Sequence, residues 1–152
     1  MRCFLFGLNA INNDFCIHTK IKQMFTIEQI KAAHAKVKSG ADYPNYVKYI
    51  ILLGVTHYDN FVADGHAVFY GGNSQAEWTA KYEPLEVAAT CNKEQFITDL
   101  KAHQQGKTNY PTFCSDCARS GIEKWIVKLD KMTCTYYDKA GNEVLQEIIP
   151  TT

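Results

Sequence analysis

No apolar run in this sequence is long enough to cross a membrane as a helix. The longest, Tyr49 to Val55, falls far short of the ~20 residues required. Net charge is missing as well: Lys and Arg number 16, Asp and Glu number 16, and no basic run builds up anywhere. Such a chain offers no electrostatic footprint to nucleic acid or anionic lipid, so neither is expected as a partner. The sequence signatures of common catalytic sites are absent. There is no P-loop, no G-x-G-x-x-G, no Ser/His/Asp spacing and no paired-carboxylate motif, and Gly71-Gly72-Asn73 is too short to cradle a phosphate. The histidines and cysteines are not paired at metal-ligand spacing, so no metal and no other cofactor is expected. A secretory leader is not evident either. Cys3 to Leu8 is a short apolar run broken by Gly7, below the about 7–15 residues of a signal core. The protein is therefore read as cytoplasmic, with its six cysteines as thiols in a reducing compartment.

What is present is ordinary globular composition, 46% apolar and 21% charged over 152 residues. That length buries roughly 70% of its extended surface on folding, enough for a real core. The first 23 residues stand apart. They show no sustained period, and Asn9, Asn12, Asn13 and Asp14 cluster as turn residues. They are read as a non-native or disordered extension, with translation beginning at Met24; a loosely docked tail is the alternative. Removing Arg2, Lys20, Lys22 and Asp14 with them leaves the remainder slightly acidic. Residues 24–152 are then one domain.

That domain opens with Thr26 and Gln29 spaced as a capping box. The spacing predicts a helix from Ile27 to about Ser39, ended by Gly40, and a second from Pro44 to Gly54. Val55 to Val62 and His66 to Tyr70 read as strands joined by a tight Asp64-Gly65 turn, with Val62 opposite Ala67. Gly71 to Lys81 reads as an irregular loop and Leu85 to Ala89 as a third strand. The second half repeats the plan. Asn92 and Gln95 open a helix ended by Gly106, and Pro111 starts another ended by Gly121. Ile122 to Leu129, Met132 to Asp138 and Glu143 to Ile149 read as three strands. A shift of 67 positions lays Tyr43-Pro44 on Tyr110-Pro111, Gly54-Val55 on Gly121-Ile122, Tyr58 on Trp125 and Tyr70 on Tyr137. The expected fold is α+β: a tandem α-α-β-β-β duplication with halves of about 24–90 and 91–150. Its strands form one antiparallel sheet or two packed sheets, with helices outside.

From Met24 to Pro150 the chain also resembles the YdfO/YbcV-type family of small prophage-associated proteins. The resemblance rests on Phe25-Thr26-Ile27-Glu28-Gln29-Ile30, Gly54-Val55-Thr56, Ala63-Asp64-Gly65-His66, Tyr110-Pro111-Thr112-Phe113-Cys114, Glu123-Lys124-Trp125 and Lys131 to Asp138. It implies an α+β fold and a bacterial or phage gene context. It implies no activity: the family is known as a domain of unknown function, some of whose members carry the label "phage envelope protein".

The residues that could carry function are few. Cys114 and Cys117 form a C-x-x-C, a spacing used in redox and zinc sites. On a helix begun at Pro111 they share the apolar face with Tyr110 and Phe113, where the first half has Val47 and Ile50; buried, inert thiols are the expectation. His66 beside its turn is expected to be solvated. Nine Tyr, eight Phe and two Trp are more than one small core needs, and Tyr suits a groove because its body is apolar and its tip polar. The candidate ligand- or partner-binding residues are Tyr58, Asp64, His66, Trp78, Tyr82, Tyr110 and Cys114. They suggest a non-enzymatic binding protein with an aromatic-lined groove, at the junction of the halves or under the Gly71–Lys81 segment. Its partner would be a protein or a small molecule, and a homodimer is compatible with the sequence. The alternatives are a small enzyme with a thiol or Tyr/His site, and a phage-derived regulator of a host protein. Intact-mass spectrometry of the natively expressed protein should return a chain beginning at Met24; a mass that includes Met1 to Gln23 would refute the start-site reading.

Overall fold

A computed structural model describes residues 24–38 and 40–150. The expectations for Met1 to Gln23 lie outside the described residues. Helix α1 spans Ile27–His34, a short 3-10 turn spans Gly40–Asp42, and helix α2 spans Tyr43–Leu52. Strands β1 (His57–Phe61), β2 (Ala67–Gly71) and β3 (Ser74–Trp78) follow. Helices α3 (Lys93–Gln104) and α4 (Tyr110–Arg119) then lead to β4 (Ile122–Lys128), β5 (Thr133–Asp138) and β6 (Glu143–Ile148). The fold is α+β, with one six-stranded antiparallel sheet in the order β3-β2-β1-β4-β5-β6.

The helix starts follow from local chemistry. Thr26 and Gln29 make the reciprocal capping box, and Asn92 accepts from the Gln95 amide. Asn109 caps α4 through the Thr112 amide, so α4 begins one residue before Pro111. The helices pack through Ile30, Tyr46, Val47, Ile50, Phe96, Leu100, Phe113 and Cys117 onto one sheet face, where Tyr58, Phe69, Trp125, Val127 and Tyr136 point. Among the described residues no helix is long and apolar enough to cross a membrane.

The register obeys the 67-residue shift. His57, Tyr58 and Asp59 of β1 pair with Tyr70, Phe69 and Val68 of β2. Their shifted counterparts Lys124, Trp125 and Ile126 of β4 pair with Tyr137, Tyr136 and Thr135 of β5. The halves join where β1 pairs with β4, and there Asp59 lies opposite its own counterpart, Ile126. That is the register a pseudo-two-fold axis through this pair requires.

Four expectations change. Helix α1 ends at His34, short of Ser39, and Gly40 opens the 3-10 turn, where the Lys38 amide donates to Asp42 Oδ2 at 3.0 Å. The β1–β2 connection has four residues, not two: Asn60 pairs with Ala67, and the Phe61 amide donates to the His66 carbonyl. Val62 is thereby released into the core with no exposed surface, and Gly65 takes the positive φ of +74° while Asp64 does not. The Gly71–Lys81 segment is not an irregular loop, because Gly71 and Gly72 turn the chain into β3. Leu85 to Ala89 is not a strand: its amides donate to the Ala63 carbonyl at 2.6 Å and the Ala118 carbonyl at 2.8 Å, outside any ladder.

Gly71 is required by close approach. A Cβ there would stand 1.9 Å from the Gly54 carbonyl oxygen, a backbone atom. Gly71→Ala should therefore destabilise the fold by about 3 kcal/mol, at the upper end of overpacking costs. Gly106→Ala, whose Cβ would meet open space, should lose only about 1 kcal/mol to its positive φ. Urea denaturation of both variants checks this, and equal losses would contradict the Gly54 contact.

Candidate functional site

The face that carries the helices is not filled at its centre. A cavity of about 680 Å³ lies between α1–α2 and α4, over β1, β2 and β4. Its floor is built by strand alternation: Tyr58 and Asn60 on β1, Ala67 and Phe69 on β2, and Trp125 on β4 all point to the same side. One wall is Tyr43 and Tyr46 of α2 with His34 at the end of α1. The opposite wall is Tyr110, Pro111, Cys114 and Ser115 of α4. The roof is Trp78, the last residue of β3, with the strap Lys81, Tyr82, Glu83 and Leu85 that follows it. Both tryptophans of the sequence line the cavity.

The β1–β2 loop fixes the strap. The Asp64 carbonyl accepts from the Lys81 amide at 2.8 Å and from the Tyr82 amide at 3.4 Å. The Tyr82 hydroxyl donates to the Val62 carbonyl at 2.6 Å. A side chain at position 65 would strike the Tyr82 ring, so glycine there lets the ring lie against the loop. Asp64 and His66 themselves do not line the cavity. The Asp64 carboxylate accepts from the His66 amide at 3.0 Å and contacts its ring nitrogen. Burial alone would push this carboxyl up, but these His66 bonds hold it below its usual value. The His66 ring stacks on Phe61 at 4.2 Å, away from α2 and α4.

Five of the seven sequence candidates thus come together: Tyr58, Trp78, Tyr82, Tyr110 and Cys114. The other lining aromatics, Tyr43, Tyr46, Phe69 and Trp125, belong to the aromatic excess counted in the sequence. His34, Asn60 and Lys81 carried no such signal, and only tertiary contact brings them in.

The chemistry of the cavity is that of neutral hydroxyls and one cationic corner. The Tyr43 and Tyr58 hydroxyls share a hydrogen bond of 2.7 Å. Burial pushes Tyr43 up to about 12, and pushes Tyr46, Tyr58, Tyr82 and Tyr110 upward too, so all five stay protonated at neutral pH. Cys114 and Cys117 have no exposed surface, and burial raises both thiols, the opposite of an activated nucleophile. At the mouth, the Lys81 ammonium sits 4.4 Å from the Trp78 ring centroid and Lys31 sits 5.5 Å from it. The His34 ring meets Trp78 edge-on at 5.3 Å. Burial lowers Lys81, and burial together with the Lys81 charge lowers His34. Among the described residues no three His, Cys, Asp or Glu side chains are grouped to hold a metal ion.

Comparison with known proteins places this arrangement in a family. The profile of a protein family of unknown function, DUF1398, matches residues 31–148. The chain belongs to this family. The DUF1398 match takes in all six strands and every cavity-lining residue. Uncharacterized proteins of Mycobacterium bovis and of two Mycobacterium tuberculosis strains are 33% identical over 46 residues, which is 30% of this chain. The chain spans 28% of the length of these relatives.

One polar atom of the DUF1398 cavity is out of balance. Asn60 is 5% exposed, and its Nδ2 reaches the Tyr110 hydroxyl without closing to full hydrogen-bond geometry. It is the one cavity-lining residue among the four described residues with such a loosely held buried side-chain atom. Asn60→Val should raise the free energy of unfolding by about 1 kcal/mol, because it removes a buried donor whose contact with the Tyr110 hydroxyl is poorly closed. Urea denaturation measures it; a lower midpoint would show that the amide is satisfied in the folded protein.

Proposed function

We propose that this protein is a non-enzymatic binding protein that encloses a small organic ligand in the cavity between its two halves. The cavity itself carries this reading. Its volume of about 680 Å³ lies within the roughly 300–1,000 Å³ of pockets that hold small molecules. Its walls are mostly aromatic with a few convergent polar groups, as such pockets require. The candidates for acid, base or nucleophile argue against an enzyme. The five tyrosines lining the cavity and Cys114 have their pKa values pushed up, away from neutrality, whereas a general base works near the ambient pH. Two further readings rest on the sequence alone and belong to the same proposal: a prophage-derived gene and a cytoplasmic protein.

Filling the cavity tests the reading. Ala67 lies on the floor with 1% exposure, so Ala67→Leu projects extra methyl groups into the space for about 1–3 kcal/mol of overpacking. Native mass spectrometry of protein purified from its own host should show a retained small-molecule mass on the wild type. The mass should be lost from a folded Ala67→Leu variant. Equal retention by both proteins would place the ligand elsewhere and sink the proposal.

A further inference from the structure

We propose that the ligand of this cavity is a planar organic anion, its ring among the aromatic walls and its acidic group at Lys81 and His34 beside Trp78. The inference rests on the binding reading above and adds the chemical class.

The first ground is the convergence of basic groups on one indole. Lys81, Lys31 and His34 all approach Trp78, at 4.4 Å, 5.5 Å and 5.3 Å from its ring. Neither Lys31 nor Lys81 forms an ion pair among the described residues. Two lysine charges gathered on one ring, with a neutral His34 beside them, are unfavourable for the fold on their own, and an anion relieves them. The second ground is the polar inventory. Asn60 Nδ2 is a loosely held donor facing the Tyr110 hydroxyl, and the hydroxyls of Tyr110 and Ser115 stay protonated. The one carboxylate among the lining residues is Glu83, exposed at the rim. The pocket is therefore rich in donors and asks for a ligand rich in acceptors.

The third ground excludes the obvious competitor. An aromatic-walled pocket commonly takes an organic cation, held against ring faces by their quadrupoles. Here the protein's own Lys81 and Lys31 already sit on the Trp78 ring, so a second cation meets repulsion where it would seek attraction. The same occupied ring presents an anion with a fixed, partly dehydrated partner. Carboxylate, phosphate and sulfonate share this recognition chemistry.

Isothermal titration calorimetry with four naphthalene probes tests the class: naphthalene-2-carboxylate, 2-naphthyl phosphate, the neutral alcohol 2-naphthalenemethanol and the cation 2-naphthylmethylammonium. The acids should bind roughly tenfold or more tightly than the alcohol, the increment of one charge-assisted hydrogen bond, and the cation should bind most weakly. Whichever acid binds more tightly names the acidic group. Lys81→Gln should collapse the difference between acid and alcohol. An alcohol that binds as well as both acids, or a preference for acids that survives Lys81→Gln, overturns the anion inference while leaving the pocket reading intact. If no probe binds the wild type more tightly than it binds Ala67→Leu, both readings fall together.

Discussion

The pairing of β1 with β4 holds the two halves in one sheet. Ladder hydrogen bonds run from His57–Lys128 to Phe61–Lys124, and both flanking hairpins hang from this central pair. The pairing also decides where the cavity lies. It sets Tyr58 and Asn60 beside Val127 and Trp125 at the middle of the sheet, and it carries α2 and α4 to either side of them. Tyr43 and Tyr110 occupy equivalent positions, each the first residue of its helix, and they face the centre from opposite walls. The cavity is thus a product of the repeat: two equivalent helices flank the join but do not close over it.

Closure comes from a part the halves do not share. The strap Lys81 to Leu85 is tied to the β1–β2 loop through the carbonyls of Ala63 and Asp64 and through the Tyr82 hydroxyl on Val62. It brings a lysine over Trp78 and so fixes the sign of charge at the mouth. The interior has no comparable charge. Burial keeps its tyrosines as neutral donors over the physiological range, so shape and donor placement would do the selecting inside and charge would act at the rim.

Much of this was legible in the residues, and the exceptions have physical causes. Cap residues gave the starts of α1 and α3, and glycine stops the ends of α2, α3 and α4, because those signals are local; α1 stops short of its glycine. The 67-residue shift maps the β1–β2 register onto that of β4–β5, because a sheet built from two copies must pair equivalent strands equivalently, although the register expected for the first hairpin, Val62 opposite Ala67, is two residues out. Strand β3 escaped notice because its inward positions are Ser74 and Ala76, which alternate correctly but carry little hydrophobic signal. They are small where space is short: the Met24 amide donates to Ser74 Oγ at 2.8 Å and Gly71 lies against Gly54. The Asp64-Gly65 pair read as a two-residue turn, yet Val62 is needed in the core and the strap needs the Asp64 carbonyl, so tertiary demand lengthened the loop. His34, Lys81 and Asn60 come from a helix end, a strap and a strand, and no local pattern joins three such places.

The duplication supplies a control inside the molecule. Position 60 of β1 corresponds to position 127 of β4, two sites in the same sheet facing the same layer of helices. At 127 the chain has valine, 1% exposed and at home in the core. At 60 it has asparagine, 5% exposed, with its amide set against the Tyr110 hydroxyl in the cavity lining. The fold does not demand that amide, since the equivalent site is satisfied by an apolar side chain. Asn60 touches the cavity and Val127 does not. The polar residue is therefore explained by the cavity rather than by the sheet. That difference between two otherwise equivalent positions separates, within a single sequence, what the sheet requires from what the cavity lining adds.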